Sequence, residues 1–371
     1  MKGLLYLISI FYLAAAFAAH GKEYTLQNGT RFKVADSIKK TDAIRGYITH
    51  LYDDPHIIAL AQKCHLIQFL DGAGKGKYVR SESELQETAE LTGHPEVVHA
   101  RAILHGVSAQ GGLATEEMWK KPDKVIAVIY LHNAHRKNAN GVPICYVAAS
   151  GEGFYPNAIW HHDTISAWRK TGESTFGSIV VHSSKHASNG PQDYIALWLE
   201  EVIKLRMPDN IPRDGSPYEM NKVGESVGYI GDCDAIEIPK GHDDRWFGSQ
   251  RFINAKVWAY DKYPGGGKNN GDSWFPSKRA AEAWAYYSNN LKMPPPGAVF
   301  VSNNRIRNSS TAKMHIAKNS RIAEIQYGLN GRAVKPGIQS QNVFIIPVKP
   351  DDYIKTVPVL IRRNGSGDIA Q

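Results

Sequence analysis

The chain has 371 residues, of which 42% are hydrophobic and 22% are charged. This length exceeds the needs of one ordinary domain and predicts two units around a large buried core. The formal net charge is +8, but the Lys and Arg residues are scattered rather than clustered, which argues against a nucleic-acid-binding protein.

Residues 1–18 have the pattern of a secretory signal peptide. Lys2 precedes an apolar run from Gly3 to Phe17, and the run ends in the small-residue pattern Ala16-Phe17-Ala18. This run is shorter than the roughly 20 residues that a bilayer span requires. We therefore expect a secreted or periplasmic protein without a membrane span.

Residues 23–206 alternate short apolar runs rich in Val, Ile and Leu with amphipathic stretches, a pattern typical of a parallel sheet with crossover helices. The predicted strands are Arg45–His50, His65–Leu70, Arg101–His105, Val125–Leu131, Pro143–Ala148 and Ser178–His182. The predicted helices are Pro55–Lys63, Glu82–Thr92, Ala109–Lys120, Asn157–Lys170 and Gln192–Arg206. The pattern predicts a doubly wound α/β fold, whose ligands bind at the carboxyl ends of the strands.

Two further regions follow this core. Residues 207–292 are loop-rich and aromatic, with a helix near Ser277–Tyr287, and they complete the core either as a cap or by wrapping the sheet. The run Met293-Pro-Pro-Pro-Gly297 is stiff and non-helical, as expected of a linker. Residues 298–371 show short β patterns separated by Gly, Pro and Asn turns, which predicts a small all-β domain.

The stretch Gly106-Val-Ser108-Ala-Gln110-Gly-Gly112 connects a predicted strand to a predicted helix. A serine at such a turn is held exposed at the top of the sheet, and the neighbouring glycines relieve crowding of the backbone. The helix N-terminus beside it provides amide donors and the positive end of a dipole. Ser108 is therefore the candidate nucleophile.

From Asn28-Gly-Thr-Arg-Phe-Lys-Val34 to the Gln192–Arg206 helix, about half of the chain resembles exported α/β-hydrolases of the esterase and polyester-depolymerase kind. The resemblance is carried by Thr92-Gly-His-Pro-Glu96, Ala102-Ile-Leu-His-Gly-Val-Ser-Ala109 and Pro122-Asp-Lys-Val-Ile-Ala-Val128. Members of this family have the motif G-x-S-x-G around the nucleophile, whereas this chain has Gln110 where the motif has its second glycine.

The resemblance implies a base and an acid downstream of Ser108. His186 lies in the loop after the Ser178–His182 strand, where the family keeps its histidine, and His182 is the competing choice. Glu152 lies in the loop after the preceding strand, where the family places its carboxylate, and Asp163 is the alternative acid.

Oxyanion stabilisation requires backbone amides beside the nucleophile. The amide of Ala109 is one candidate donor. The second donor comes from the loop His50-Leu-Tyr-Asp-Asp54, through the amide of Leu51 or Tyr52. This loop lacks the glycines that members of the family have at the equivalent position.

Two groups of residues raise the question of a metal, namely His132 with His135 and His161 with His162 and Asp163. A metal site requires three or four converging ligands, which these groups alone do not supply. The three cysteines Cys64, Cys145 and Cys233 lack the paired spacing of a zinc site. The sequence therefore predicts neither a metal nor a cofactor.

The leading hypothesis is a secreted serine hydrolase that cleaves a carboxylic ester, in a small molecule or a polymer, through a Ser-His-acid triad and an acyl-enzyme. The alternative is a catalytically degenerate α/β-hydrolase-like protein that binds a polysaccharide or a cell-surface partner. Gln110 and the glycine-free loop motivate this alternative. The sequence does not define the oligomeric state.

Overall fold

The computed structural model describes residues 21–49, 55–70, 78–108, 110–132, 141–149, 158–171, 176–182, 190–238, 249–265, 271–295, 298–299, 312–314, 325–327, 333–335, 338–339 and 346–347. The chain divides into two compact units, Met1–Met293 and Pro294–Gln371. The proposed signal peptide lies outside the described residues.

Eight strands of the first unit form one sheet. They are β1 (Gly21–Thr25), β2 (Arg31–Ala35), β3 (Gly46–Thr49), β4 (Leu66–Phe69), β5 (Ala102–Val107), β6 (Val125–Leu131), β7 (Ile144–Ala149) and β8 (Gly177–His182). Their spatial order is β1-β2-β4-β3-β5-β6-β7-β8. The strands β3 to β8 are parallel, whereas β2 pairs antiparallel with both β1 and β4.

The helices of this unit follow the strands in alternation. They are α1 (Pro55–Cys64), α2 (Glu82–Thr92), α3 (Gln110–Lys120), α4 (Ala158–Thr171), α5 (Gln192–Arg206) and α6 (Lys278–Asn290). Helix α3 packs on β5 and β6, and α4 packs on β7 and β8. Strand order and connectivity together confirm the predicted doubly wound sheet of the α/β-hydrolase fold.

The centre of this sheet consists of strands that are buried on both faces. All seven residues of β6 and all six of β7 are buried, and both strands are rich in β-branched and small apolar residues. Parallel strands covered by helices on both faces have this composition, because neither face meets water. The continuous apolar runs of β6 and β7 therefore mark the centre of the sheet.

Helix α2 begins with a capping box. The Ser81 side chain accepts a hydrogen bond from the Glu84 amide, and the Glu84 carboxylate accepts one from the Ser81 amide. The helix ends at Gly93, whose φ of 73° places it in the left-handed region that glycine adopts without strain.

A second sheet occupies part of the region that the sequence suggested to be loop-rich. Strands β9 (Tyr229–Ile238), β10 (Ser249–Ala259) and β11 (Ser273–Phe275) are antiparallel, in the order β10-β9-β11. The pattern of β9 is obscured by Gly231 and by two aspartates, residues that strands usually avoid. Trp274 and Trp284 are buried, so these aromatic residues belong to the core.

The second unit contains short antiparallel strands, in agreement with the predicted small all-β domain. They are β12 (Ala298–Val299), β13 (Ala312–Met314), β14 (Ile325–Tyr327), β15 (Ala333–Lys335), β16 (Ile338–Gln339) and β17 (Ile346–Pro347). Strand β12 pairs with β17, and β13 to β16 form a four-stranded sheet.

All three cysteines are described, and each thiol is buried and free of a disulfide bond. Within the described part of the chain, no helix combines the length and the apolar character needed to cross a membrane.

Candidate active site

Ser108 lies at the turn between β5 and α3, near the middle of the parallel sheet. Its φ is 51°, a left-handed backbone conformation that non-glycine residues seldom adopt. Two hydrogen bonds hold it there: the Ser108 amide donates to the Leu131 carbonyl at 2.9 Å, and the Gly111 amide donates to the Ser108 carbonyl at 3.1 Å. Such local strain persists only where the surrounding structure imposes it, and it is concentrated at functional sites.

Two glycines allow this turn to be tight. A Cβ on Gly106 would lie 2.8 Å from the Cα of Gly111 and 3.1 Å from its nitrogen. The small residue opposite Gly106 is therefore Gly111, one position beyond the site where the family pattern has its glycine. Gln110 does not occupy this close contact, so its side chain does not push the strand and the helix apart.

Tyr78 connects the beginning of α3 to the neighbouring strand β3. Its hydroxyl donates to the Gln110 carbonyl at 3.2 Å, and its own carbonyl accepts a hydrogen bond from the Thr49 hydroxyl at 2.9 Å. Tyr78 is fully buried, and burial raises the pKa of its phenol. The neutral phenol is therefore a fixed donor that holds the first turn of α3 against the carboxyl end of β3.

His132 occupies the equivalent position after β6 and has a φ of 55°. Val107 pairs with Leu131, so Ser108 and His132 follow directly on adjacent strands. His132 is 6% exposed, and its amide donates to the Val147 carbonyl at 2.9 Å. From the sequence, His132 was a candidate only as a metal ligand together with His135, which lies outside the described residues. Because His132 directly follows β6, the strand next to β5, the sequence could have indicated that it lies beside Ser108.

The carboxyl ends of β7 and β8 lie at the same edge of the sheet as Ser108. Ala149 pairs with His182, and these two residues end their strands together. After β8, the described chain resumes at Gly190, where a Cβ would lie 2.8 Å from Val147 Cγ1 and 3.5 Å from Leu131 Cδ2. Gly190 therefore lies beside the carboxyl-terminal halves of β6 and β7.

Most of the other predicted site residues lie outside the described residues: His186, Glu152, Ala109, Leu51 and Tyr52. Asp163, the alternative acid, lies on α4 with a side chain that is 70% exposed. Its Oδ1 is 3.0 Å from His162 Nδ1. The carboxylate of Asp163 is thus in contact with the neighbouring imidazole.

A separate group of donor atoms lies where α4 meets the second sheet. His162, Cys233 and Asp272 each offer one potential metal-ligand atom, and these atoms lie within 4.8 Å of one another. From the sequence, His162 was grouped with His161 and Asp163, and not with Cys233 or Asp272. The three residues are far apart in the sequence, and no local motif marks the last two.

Comparison with known proteins identifies no matching protein-family model and no matching curated protein. Solved structures that share features with the chain include a predicted CIB-like hydrolase from Thermoplasma acidophilum, with 14% identity, a TM-score of 0.34 and coverage of 50% of this chain and 99% of that one. A carboxylesterase from Mesorhizobium loti has 12% identity, a TM-score of 0.33 and coverage of 48% and 98%. S-formylglutathione hydrolase from Staphylococcus aureus has 10% identity, a TM-score of 0.28 and coverage of 50% and 95%.

The strand order, the single direction of β3 to β8 and the turn at Ser108 together give the first unit the α/β-hydrolase fold.

Proposed function

We propose that the protein is an exported serine hydrolase that cleaves a carboxylic ester. The observation that carries this proposal is the left-handed backbone of Ser108, at a strand-to-helix turn on the carboxyl edge of a mostly parallel sheet. Such a turn keeps a serine hydroxyl clear of the sheet, at the edge where α/β folds bind their ligands.

In this proposal Ser108 attacks the ester carbonyl while His186 accepts the hydroxyl proton. Glu152 orients the imidazole and stabilises its charged form. The tetrahedral oxyanion is held by the amide of Ala109 and by that of Leu51 or Tyr52. The alcohol leaves with the proton from His186, and water then hydrolyses the acyl-enzyme by the same proton transfers in reverse.

The ends of the segment that contains His186 support this choice of base. His182 ends β8 beside Ala149, and Gly190 lies against Val147 and Leu131. The carbonyl of Leu131 also accepts the amide hydrogen of Ser108. Both described ends of this segment therefore lie at the edge of the sheet that carries Ser108.

The choice of acid is supported by the surroundings of the alternative. Asp163 contacts His162 on its own helix, which is a sufficient structural role for that carboxylate. Glu152 belongs to the segment between β7 and α4, and β7 ends at the same edge of the sheet as β8. We therefore retain Glu152 as the proposed acid.

The contact between Gly106 and Gly111 favours catalysis over a purely binding role. Gln110 was one of two reasons to consider a degenerate relative that binds a polysaccharide or a cell-surface partner, and the glycine-free loop His50–Asp54 was the other. The close approach of the two glycines maintains the tight turn despite Gln110. The N-terminus of α3 also directs its dipole toward this turn, which stabilises developing negative charge.

The deciding experiment is labelling of the full chain with a fluorophosphonate probe, together with turnover of short-chain esters. Ser108→Ala is expected to abolish labelling and to lower ester turnover by at least ~10³-fold, because the serine supplies the bond-forming atom. Ser83→Ala changes an exposed serine on α2 and is the matched control, with labelling and turnover unchanged. Equal labelling of wild type and Ser108→Ala would overturn the proposal.

A further inference from the structure

Three side chains from distant parts of the chain meet between α4 and the second sheet. His162 belongs to the second turn of α4, Cys233 to β9, and Asp272 immediately precedes β11. The Cys233 thiol donates to Asp272 Oδ2 at 3.0 Å, and His162 Nε2 lies 3.3 Å from the same oxygen. One nitrogen, one sulfur and one oxygen donor therefore face one another.

These separations are close to those of ligands around one small cation. Tetrahedral coordination at metal-ligand distances of about 2.0–2.3 Å places ligand atoms about 3.3–3.8 Å apart. The pair formed by His162 and Asp272 already falls in this range, and the thiol of Cys233 would have to move back by only a few tenths of an ångström, on the order of 0.5 Å. The third separation, between the His162 and Cys233 donor atoms, is at most 4.8 Å, so these two atoms would have to approach each other by up to roughly 1 Å.

The burial of Asp272 is an independent reason to expect a cation. Asp272 is 0% exposed, and among the described residues its Oδ1 has no hydrogen-bond partner. A buried carboxylate oxygen without a partner is costly unless a positive charge lies beside it. Its other oxygen accepts from the Cys233 amide at 2.8 Å as well as from the thiol, so this carboxylate is fixed in place.

Asp163 orients the imidazole for such a role. Its Oδ1 lies 3.0 Å from His162 Nδ1, which leaves Nε2 directed at Asp272 and Cys233. Histidines that bind metals commonly donate their other ring N–H to a carboxylate, which fixes the tautomer and the ring orientation. The side chain of His162 is 21% exposed, so the cluster has an approach from solvent.

We propose that His162, Cys233 and Asp272 bind one zinc ion, with water in the fourth position. A mixed set of sulfur, nitrogen and carboxylate donors suits zinc, whereas magnesium and calcium prefer oxygen donors alone. On binding, the Cys233 thiol and the His162 imidazolium each release one proton to solvent, and their lone pairs coordinate the ion. The ion ties α4 to β9 and to the segment before β11.

This site is distinct from the proposed ester-cleaving centre. The second sheet packs beside β8 through β11, and the Ser178 hydroxyl of β8 donates to the Trp274 carbonyl of β11. Ser108 follows β5, and β8 lies three strands further along the sheet. At roughly 4.8 Å per strand, the two strands are about 14 Å apart. The proposal therefore stands or falls independently of the esterase assignment.

Without a metal, neighbouring cations would have to neutralise Asp272. His162 is one such group, because its Nε2 lies 3.3 Å from Asp272 Oδ2. The buried guanidinium of Arg169 also acts on this carboxylate, although burial lowers its pKa to about 10. A buried ion pair alone predicts a protein that does not respond to zinc, and this difference can be measured.

The test is titration of the reduced, chelator-treated full chain with Co²⁺ and then with Zn²⁺. Wild type is expected to bind one equivalent of Co²⁺, with a thiolate-to-cobalt charge-transfer absorption that Zn²⁺ removes, and to show a higher Tm with Zn²⁺. No such absorption in wild type would overturn the proposal, whatever the behaviour of the variants.

Matched cysteine variants identify the ligand. Cys233→Ser is expected to lose the charge-transfer absorption and to weaken Zn²⁺ binding at least ~10-fold. Cys145→Ser, which changes another buried free thiol, retains both. An unchanged absorption in Cys233→Ser would assign the thiolate to another residue and reject the site. Asp163→Asn, at an exposed position, should weaken Zn²⁺ binding ~10-fold while the absorption stays.

Discussion

The turn at Ser108 and the cluster around His162 are assembled in opposite ways. The turn consists of six consecutive residues, Gly106 to Gly111. Its shape is determined by backbone hydrogen bonds and by the lack of a side chain at Gly106 and at Gly111. The cluster joins three distant segments through side-chain charge and hydrogen bonding. The residues of the turn are adjacent in the sequence, whereas those of the cluster come together only when the chain folds.

The largest effect on stability is expected at Asp272, on the charge-built side of this comparison. In chelator-treated protein, Asp272→Ala removes the acceptor of the Cys233 amide and thiol. It also leaves the imidazole of His162 without its buried carboxylate partner. Breaking a buried ion pair in this way costs about 3–5 kcal/mol of the free energy of unfolding. Chemical denaturation monitored by circular dichroism measures this loss.

Asp163→Ala is the matched control for Asp272. The Asp163 carboxylate contacts the same imidazole but is 70% exposed, so a loss of under about 1 kcal/mol is expected. Equal losses for the two variants would mean that burial does not distinguish the carboxylates, and that the cluster is no more than a surface ion pair.

A smaller effect is expected at Gly106, on the backbone-built side. A Cβ at this position would lie 2.8 Å from the Cα of Gly111, which is backbone and cannot move aside easily. Gly106→Ala should therefore cost about 1–3 kcal/mol of stability and should lower ester turnover, because Ser108 shifts with the turn. Thermal unfolding and steady-state kinetics measure the two effects.

Gly112 is the control for crowding at this turn. It lies on the exposed side of α3, with open space around its Cα. Gly112→Ala should raise stability by about 0.5–1 kcal/mol, because alanine loses less backbone entropy in a helix. A loss of stability similar to that of Gly106→Ala would contradict the close-contact explanation.

Apart from the control variants, the smallest loss of stability is expected at Glu84, where a buried charge and a local capping motif are combined. Burial raises the pKa of Glu84, but hydrogen bonds from Ser81 and Asn28 and the charge of Arg80 outweigh it and lower the pKa to about 2. Because the folded-state pKa lies below the unfolded value near 4.5, the stabilisation is complete above pH 4.5. It is lost as the pH falls toward 2.

Glu84→Gln should therefore remove about 1–2 kcal/mol at pH 7, after allowance for solvent screening, and almost nothing at pH 2. Urea unfolding at several pH values measures the difference. Glu82→Gln, at an exposed position in the same helical turn, should leave the pH profile of stability unchanged. A constant difference between wild type and Glu84→Gln from pH 7 to pH 2 would contradict the assigned pKa.

The same contrast explains which parts of the fold could be predicted. The strands β3 to β8 and their helices were predicted because runs such as Val125–Leu131 are continuously apolar and are followed by amphipathic stretches. The turn at Ser108 could be predicted because the residues that form it are adjacent in the sequence. That Gly111, and not residue 110, is the small residue in contact with Gly106 could not be predicted, because only the folded structure places Gly111 against Gly106.

The second sheet was missed because its strands depart from simple alternation. Asp232 and Asp234 interrupt β9, and the register of β10 shifts between Ile253 and Lys256, where Asn254 has a positive φ. The hairpin of β1 and β2 was missed too, because β1 is mostly exposed and carries the charged residues Lys22 and Glu23, so no apolar run marks it. The donors Cys233 and Asp272 became apparent only when these strands were placed beside α4.

The left-handed backbone of Ser108 lowers the stability of the fold, although the proposed reaction requires a serine at this position. A serine held at a φ of 51° costs the folded state about 1–3 kcal/mol relative to a residue that adopts this conformation freely. Glycine is such a residue, so Ser108→Gly should yield a protein that is harder to unfold and chemically silent. A serine at this position therefore lowers the stability of the fold, and the hydroxyl that glycine lacks is what the proposed reaction requires.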